Sequence, residues 1–171
     1  MSIDSKSKPS IDSLKETAKM AESYFKTGED KDQIQITSDV NNWWSYNKFP
    51  SSTNVITYNG EVIGFTFILP CNRYYLKQFI HKKIDEPELL DKIKSEVDLK
   101  NYDALYLCAA YIKPKLRRKG IILNAFKKHI NKLIKITNKR IVLFYWGYSK
   151  SGSKLAEKVA EELHISIYKR K

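Results

Sequence analysis

Between residues 103 and 126 the chain reads Asp-Ala-Leu-Tyr-Leu-Cys-Ala-Ala-Tyr-Ile-Lys-Pro-Lys-Leu-Arg-Arg-Lys-Gly-Ile-Ile-Leu-Asn-Ala-Phe. This stretch constrains the fold more than any other. The apolar run Ala104–Ile112 predicts a central strand buried on both faces. Pro114 ends it, and Lys115, Arg117, Arg118 and Lys119 crowd the turn before Gly120 and an apolar-striped helix. A strand that runs through a basic turn into a helix leaves the first helical N–H groups without partners. The positive end of the helix dipole lies at the same place, and arginine side chains add fixed charge for phosphate oxygens. The segment therefore predicts a cradle for a pyrophosphate. It is neither the Gly-x-x-x-x-Gly-Lys-Ser/Thr phosphate loop nor the Gly-x-Gly-x-x-Gly dinucleotide turn.

The remainder of the chain has a clear order of elements. Ser13 with Glu16 reads as a capping box for a helix through about residue 26, with Leu14, Ala18, Ala21, Tyr24 and Phe25 on one face and Gly28 beyond its end. Trp43-Trp44-Ser45-Tyr46 reads as a short helix or aromatic loop. Strands are expected over 54–58 and 61–69, joined by Asn59-Gly60, the strongest short hairpin signal. Gly64 inside the second strand marks a bulge or a close approach of another backbone. Residues 74–100 read as helical in two pieces, with Glu86-Pro87-Glu88 opening the second. The helix after Gly120 turns Ile122, Phe126, Ile130, Leu133 and Ile134 inward and Lys127, Lys128, Lys132 and Lys135 outward. A strand over 141–146, a helix over 151–163 and a strand over 165–168 close the chain.

Composition bounds the function classes. Hydrophobic residues make up 42% and aromatics 12% of 171 residues, enough for a real core. Residues 1–10 read as a disordered tail without an apolar signal core. No apolar run approaches the ~20 residues of a membrane helix. Cys71 and Cys108 are isolated, and His81, His129 and His164 show no metal-ligand spacing. A reduced, cytoplasmic protein without metal or membrane is the expectation.

The pattern Arg117-x-x-Gly120-x-Ile122, preceded by Ile112-x-Pro114, resembles the acyl-CoA-binding segment of the GNAT acyltransferase superfamily. The order helix, short helix, hairpin, helices, strand, loop, helix, strand, helix, strand is similar to that family over residues 11–171, read as one domain. The resemblance implies an α+β fold: a central mixed, mostly antiparallel sheet with splayed middle strands, flanked by helices. It also implies an N-acyltransferase that uses acetyl-CoA. Three departures stand out. Ile122 replaces the motif's last small residue, and Arg118 stands where a glycine often follows the arginine. The chain also ends on one strand where most members have two; dimerisation or truncation would each account for that.

The resemblance also distributes roles. Tyr111 and Ile112 would face the pantetheine arm, and the amides of Arg117, Arg118, Lys119, Gly120, Ile121 and Ile122 would hold the pyrophosphate. Ser149, beyond the second splayed strand, would lie near the thiol end, and Ser153 takes the place of the family's asparagine in the last helix. The reaction is attack of a neutral amine on the thioester. The family's usual glutamate falls at Ala104 and its usual tyrosine at Ala160, so Tyr148 and Asp103 are the substitute acid and base. Cys108 reads as inert core and His129 as a structural histidine. Trp43, Trp44 and Tyr74 are candidates for the acceptor wall, suited to an apolar or cationic amine.

A net charge of +12, from 31 basic and 19 acidic residues, attracts polyanions: acetyl-CoA, nucleic acid or an acidic surface. The basic residues are spread rather than set in a readable motif, which argues against a nucleic-acid-binding domain. Two readings stay open beside the enzyme: a GNAT-fold CoA-binding or interaction module without catalysis, and, supported by charge alone, the nucleic-acid binder.

Overall fold

The computed structural model describes residues 3–6, 9–35 and 43–171. Six strands form one mixed sheet in the order β1-β2-β3-β4-β5-β6, with helices between them as the α+β reading expects. The chain divides into two compact units: Met1–Phe67 with Ala110–His129, and Ile68–Ala109 with Ile130–Lys171.

In the first unit, β1 (Ile3–Lys6) pairs antiparallel with β2 (Thr53–Tyr58), and β2 with β3 (Glu61–Cys71). Strand β1 corrects the expected tail. Its Ile3 stays 44% exposed, so apolar burial does not drive it. The open edge of β2 recruits it through backbone pairing. Helix α1 (Ile11–Phe25) starts before Ser13: Ser10 is the N-cap, its side chain accepting from the Ser13 N–H. The earlier start packs Ile11 against the Leu14, Val55 and Val62 cluster. Asn59 (φ 49°) and Gly60 (φ 80°) both take left-handed backbone, as a tight hairpin turn with the strands' own twist requires. Trp43 and Tyr46, flanking and within α2 (Trp44–Lys48), pack on the same cluster as α1.

Strand β4 (Ala104–Ile112), whose residues through Ala109 belong to the second unit, runs parallel there with β5 (Val142–Trp146), and β5 with β6 (Ile167–Arg170). Strand β6 begins two residues later than expected. Helix α6 (Lys150–Leu163) ends on left-handed His164 (φ 53°), and the Ile165 N–H bonds back to the Ala160 carbonyl, delaying the strand. Asn72 caps α3 (Arg73–Ile80), and Asp85 with Glu88 forms a reciprocal capping box at α4 (Glu86–Glu96). Phe79 is the hub of this core. It meets Tyr106 edge-on at 5.2 Å and Phe144 at 6.1 Å. The Arg170 guanidinium lies 4.3 Å over its ring and 5.3 Å over that of Trp146. The same guanidinium donates to the carbonyls of Phe79 (3.0 Å) and Ile84 (2.6 Å).

The contact between Tyr145 on β5 and Glu157 on α6 gives a prediction. Burial, then the Glu157 carboxylate that its hydroxyl meets at 2.7 Å, pushes the Tyr145 phenol from 10.0 up to about 12. Between those values the unfolded chain loses a proton that the folded chain keeps, so the native state loses stability as pH rises across that window. Tyrosinate absorbance during alkaline titration will rise together with unfolding as the buried phenols ionise, that of Tyr145 among them. A Tyr145→Phe variant will unfold at a higher pH.

Candidate functional site

The basic loop of the first unit leads from the end of β4 into the next helix. Pro114–Leu116 makes one 3₁₀ turn, with the Leu116 N–H donating to Lys113 and the Arg117 N–H to Pro114 (3.2 Å). Arg118 (φ 63°) and Gly120 (φ 73°) then take left-handed backbone, which swings the chain into α5 (Ile121–Ile134). The first helical rung is Asn124 N–H to the Gly120 carbonyl, 3.0 Å. The amides of Ile121, Ile122 and Leu123 precede that rung and have no helical acceptor. The side chains of Lys115, Arg118 and Lys119 are exposed around them.

The six amides assigned to the pyrophosphate thus divide. That of Arg117 is bonded within the turn, and among the described residues those of Arg118, Lys119, Gly120, Ile121 and Ile122 make no backbone hydrogen bond. The Arg117 side chain is turned back: Nε donates to the Ile112 carbonyl (3.3 Å), and the guanidinium lies over the rings of Tyr24 (5.2 Å) and Tyr111 (5.9 Å). It anchors the loop to the strand end. Tyr111 also stacks on Phe65 at 6.2 Å, so its side chain is packing and only its backbone is left for a cofactor arm. Ile112 is buried with Ile56, Ile63 and Ala125, and Ile121 and Ile122 pack on that cluster. The branched side chain at 122 therefore goes into the core instead of filling the cradle. A Cβ on Gly120 would meet only Asn124 Nδ2, at 4.0 Å.

In the second unit, β4 and β5 are paired over Ala104–Tyr106 against Val142–Phe144. Among the described residues the ladder ends there, although β4 continues through Leu107 and Cys108 and β5 through Tyr145 and Trp146. Glu86, the first residue of α4, is only 6% exposed and reaches this parting point. Its Oε1 accepts from the Tyr106 hydroxyl at 2.5 Å and from the Cys108 thiol at 3.8 Å. Burial, then the nearby Glu86 carboxylate, raises both the Tyr106 phenol and the Cys108 thiol well above their usual values. Both remain protonated donors, and Cys108 is a poor nucleophile. The sequence reading used Glu86 only as part of a helix opening. The available signal was spacing: positions 86, 89 and 93 share one helical stripe, and its other members, Leu89 and Ile93, are core residues.

The other expected site residues are engaged differently. Asp103 accepts from the Arg73 N–H at 2.9 Å and faces Arg73 Nε at 3.9 Å, so its carboxylate serves the start of α3. Tyr148 is 55% exposed, its ring edge-on to Trp146 at 5.4 Å. Ser149 is the N-cap of α6, its Oγ accepting from the Gly152 N–H at 3.0 Å, and Ser153 is buried behind it. Trp43 lines an open cleft of about 410 Å³ in the first unit with Leu14, Tyr46, Pro50 and Thr53. Trp44 is half-buried next to it in α2. Tyr74 belongs to the second unit and is 64% exposed on α3. His129 is 2% exposed. Its Nε2 donates to the Ser51 carbonyl (2.7 Å) and its Nδ1 accepts from the Thr66 hydroxyl (2.8 Å), the arrangement a carbonyl partner dictates. Among the described residues no helix is long and apolar enough to cross a membrane.

No family model matches the chain, and no curated protein does. Solved structures do. A ribosomal-protein-alanine N-acetyltransferase from Brucella melitensis biovar Abortus 2308 is similar at a TM-score of 0.52 and 14% identity, over 92% of this chain and 89% of that one. A possible acetyltransferase from Clostridium difficile 630 is similar at 0.51 and 16% identity, over 96% and 90%. The strand–loop–helix segment lies within an architecture shared with both neighbours over nearly their whole length, and the fold of this protein is that of the GNAT acetyltransferases.

Proposed function

We propose that the protein is an acyl-CoA-dependent N-acyltransferase that moves an acetyl group from acetyl-CoA to a primary amine by direct attack. The observation that carries this reading is the loop before α5. Among the described residues, the five consecutive amides from Arg118 to Ile122 make no backbone hydrogen bond, two of those residues have left-handed backbone, and exposed cations surround them at a helix N-terminus. Such a loop fits a pyrophosphate, and the open space at Gly120 admits it without a clash. Bound there, acetyl-CoA supplies an activated acyl group. The chain's own residues bind the diphosphate, extend β4 toward the arm through the backbone of Tyr111 and Ile112, and provide proton-transfer groups. Tyr148, exposed just beyond β5, is the donor for the thiolate. Asp103 is tied to α3 and is the weaker candidate for a base.

A second reading, a CoA-binding module without turnover, has one observation in its favour. Ala160, at the family's usual tyrosine position, is buried and carries no acid. Titration calorimetry with acetyl-CoA, CoA and ATP, followed by a thiol-release assay with amines, separates the two. The enzyme reading expects about micromolar binding that prefers the CoA compounds, and amine-dependent release of thiol. Equal affinity for ATP and CoA, or no binding, overturns the cradle. Binding without release selects the module.

A further inference from the structure

Resting on the acyltransferase reading above, we infer that Tyr24, in the last turn of α1, is a positioning residue for acetyl-CoA: its ring holds the Arg117 guanidinium and so sets the basic loop before the cofactor arrives. Tyr24, Phe65, Tyr111 and Arg117 all belong to the first unit.

The loop needs such a hold. Arg118 has left-handed backbone (φ 63°), which costs energy in a residue with a Cβ and persists only where the surroundings impose it. Hydrogen bonding within the preceding 3₁₀ turn ends at the Arg117 N–H. Beyond it, the amides of Arg118 to Ile122 make no backbone hydrogen bond among the described residues, so they do nothing to fix the stretch.

The Arg117 side chain supplies the restraint. Its Nε donates to the Ile112 carbonyl at 3.3 Å, on the strand that the loop has just left. Its guanidinium lies 5.2 Å from the centre of the Tyr24 ring and 5.9 Å from that of Tyr111. The two rings meet at 5.2 Å, and Tyr111 stacks on Phe65 of β3 at 6.2 Å. Ile112 and Tyr111 are near neighbours of the loop in sequence. Tyr24 comes from a separate helix, and through it the loop is tied to α1. The end of that helix is itself fixed. The Lys26 N–H donates to the Glu22 carbonyl at 2.9 Å, and the Glu22 carboxylate accepts from the Gly28 N–H at 3.3 Å. Tyr24 remains 45% exposed, so it adds little to the core; what its face holds is a cation.

A loop already in its bound conformation leaves a ligand less ordering to do. Without the Tyr24 ring, binding must fix at least one more loop residue, which weakens it about tenfold.

Trypsin reads the hold without any cofactor, because the loop itself carries Lys115, Arg117, Arg118 and Lys119. Tyr24→Ala should be cut within residues 115–119 about tenfold faster than the wild type, while its melting temperature falls by no more than about 4 °C. In calorimetry it should lose about tenfold in acetyl-CoA affinity. Tyr24→Phe keeps the ring and should match the wild type within about twofold in both assays. Arg117→Lys keeps the charge and loses the flat face that lies on the ring. Adding Tyr24→Ala to Arg117→Lys should cost less than about twofold further, since the two side chains act through one contact. If Tyr24→Ala fails to fold, Tyr24→Leu, which keeps bulk without an aromatic face, takes its place with the same expectations. Unchanged cleavage or unchanged affinity in Tyr24→Ala overturns the role of Tyr24. So do equal losses in Tyr24→Phe, or losses that add in the double variant. A wild type that binds no acetyl-CoA, with the trypsin results as expected, overturns instead the reading on which this role rests.

Discussion

Gly120→Glu is expected to abolish acetyl-CoA binding while the protein stays folded. The substitution puts a carboxylate on a loop residue with open space beside it, its Cβ meeting nothing nearer than Asn124 Nδ2 at 4.0 Å. Folding loses about 1–2 kcal/mol, because a residue with a Cβ must hold φ near 73°. Binding loses far more. A carboxylate about 4 Å from a phosphate charge is repelled by about 4 kcal/mol at an effective dielectric of 20. Half of that, after solvent and side-chain adjustment, already weakens binding about 30-fold, and displacement of the phosphate from the five amides brings the expected loss to about 100-fold or more. Gly120→Ala is the control: it carries the same backbone strain without the charge, and should keep affinity within about fivefold. Calorimetry reads both. Unchanged affinity in Gly120→Glu removes the loop from the binding site.

Gly64→Ala acts on the strand that supports the same loop, by a different route. A Cβ there would lie 2.4 Å from the Tyr111 carbonyl oxygen and 3.1 Å from the Ile112 Cα. The obstacle is backbone, so no rotamer relieves it and the two strand segments must part. The Lys113 N–H to Ile63 carbonyl bond, 2.9 Å, closes the same end of the pair and would be stretched. The expected cost is about 3 kcal/mol, or a fall in melting temperature of about 10 °C for a chain of this size. Acetyl-CoA affinity should fall with it, since Tyr111 and Ile112 lead directly into the cradle. A melting temperature lowered by less than about 2 °C would show that the strands tolerate the methyl and that the glycine has another purpose.

Local chemistry determined more of this protein than its marginal likeness to known chains suggests. Strand β4 runs over Ala104–Ile112 as read from its apolar run, and Asn59-Gly60 makes the turn its residue types require. The strand, basic turn and helix start around Gly120 were legible because they are consecutive, lying within one stretch of chain where backbone preference decides the outcome. What the tertiary structure alone decided involves partners far apart in sequence. Strand β1 exists because β2 had a free edge, the Arg117 guanidinium turns back because Tyr24 and Tyr111 stack beneath it, and Asp103 is occupied because α3 begins beside it. Glu86 became a buried carboxyl at the parting of two strands because α4 packs its inward stripe there, 20 residues from Tyr106, with Arg170 gripping Phe79 from 91 residues away. A side chain's propensity is a property of its neighbours in sequence. Its burial and its hydrogen-bond partner are set by which elements pack together.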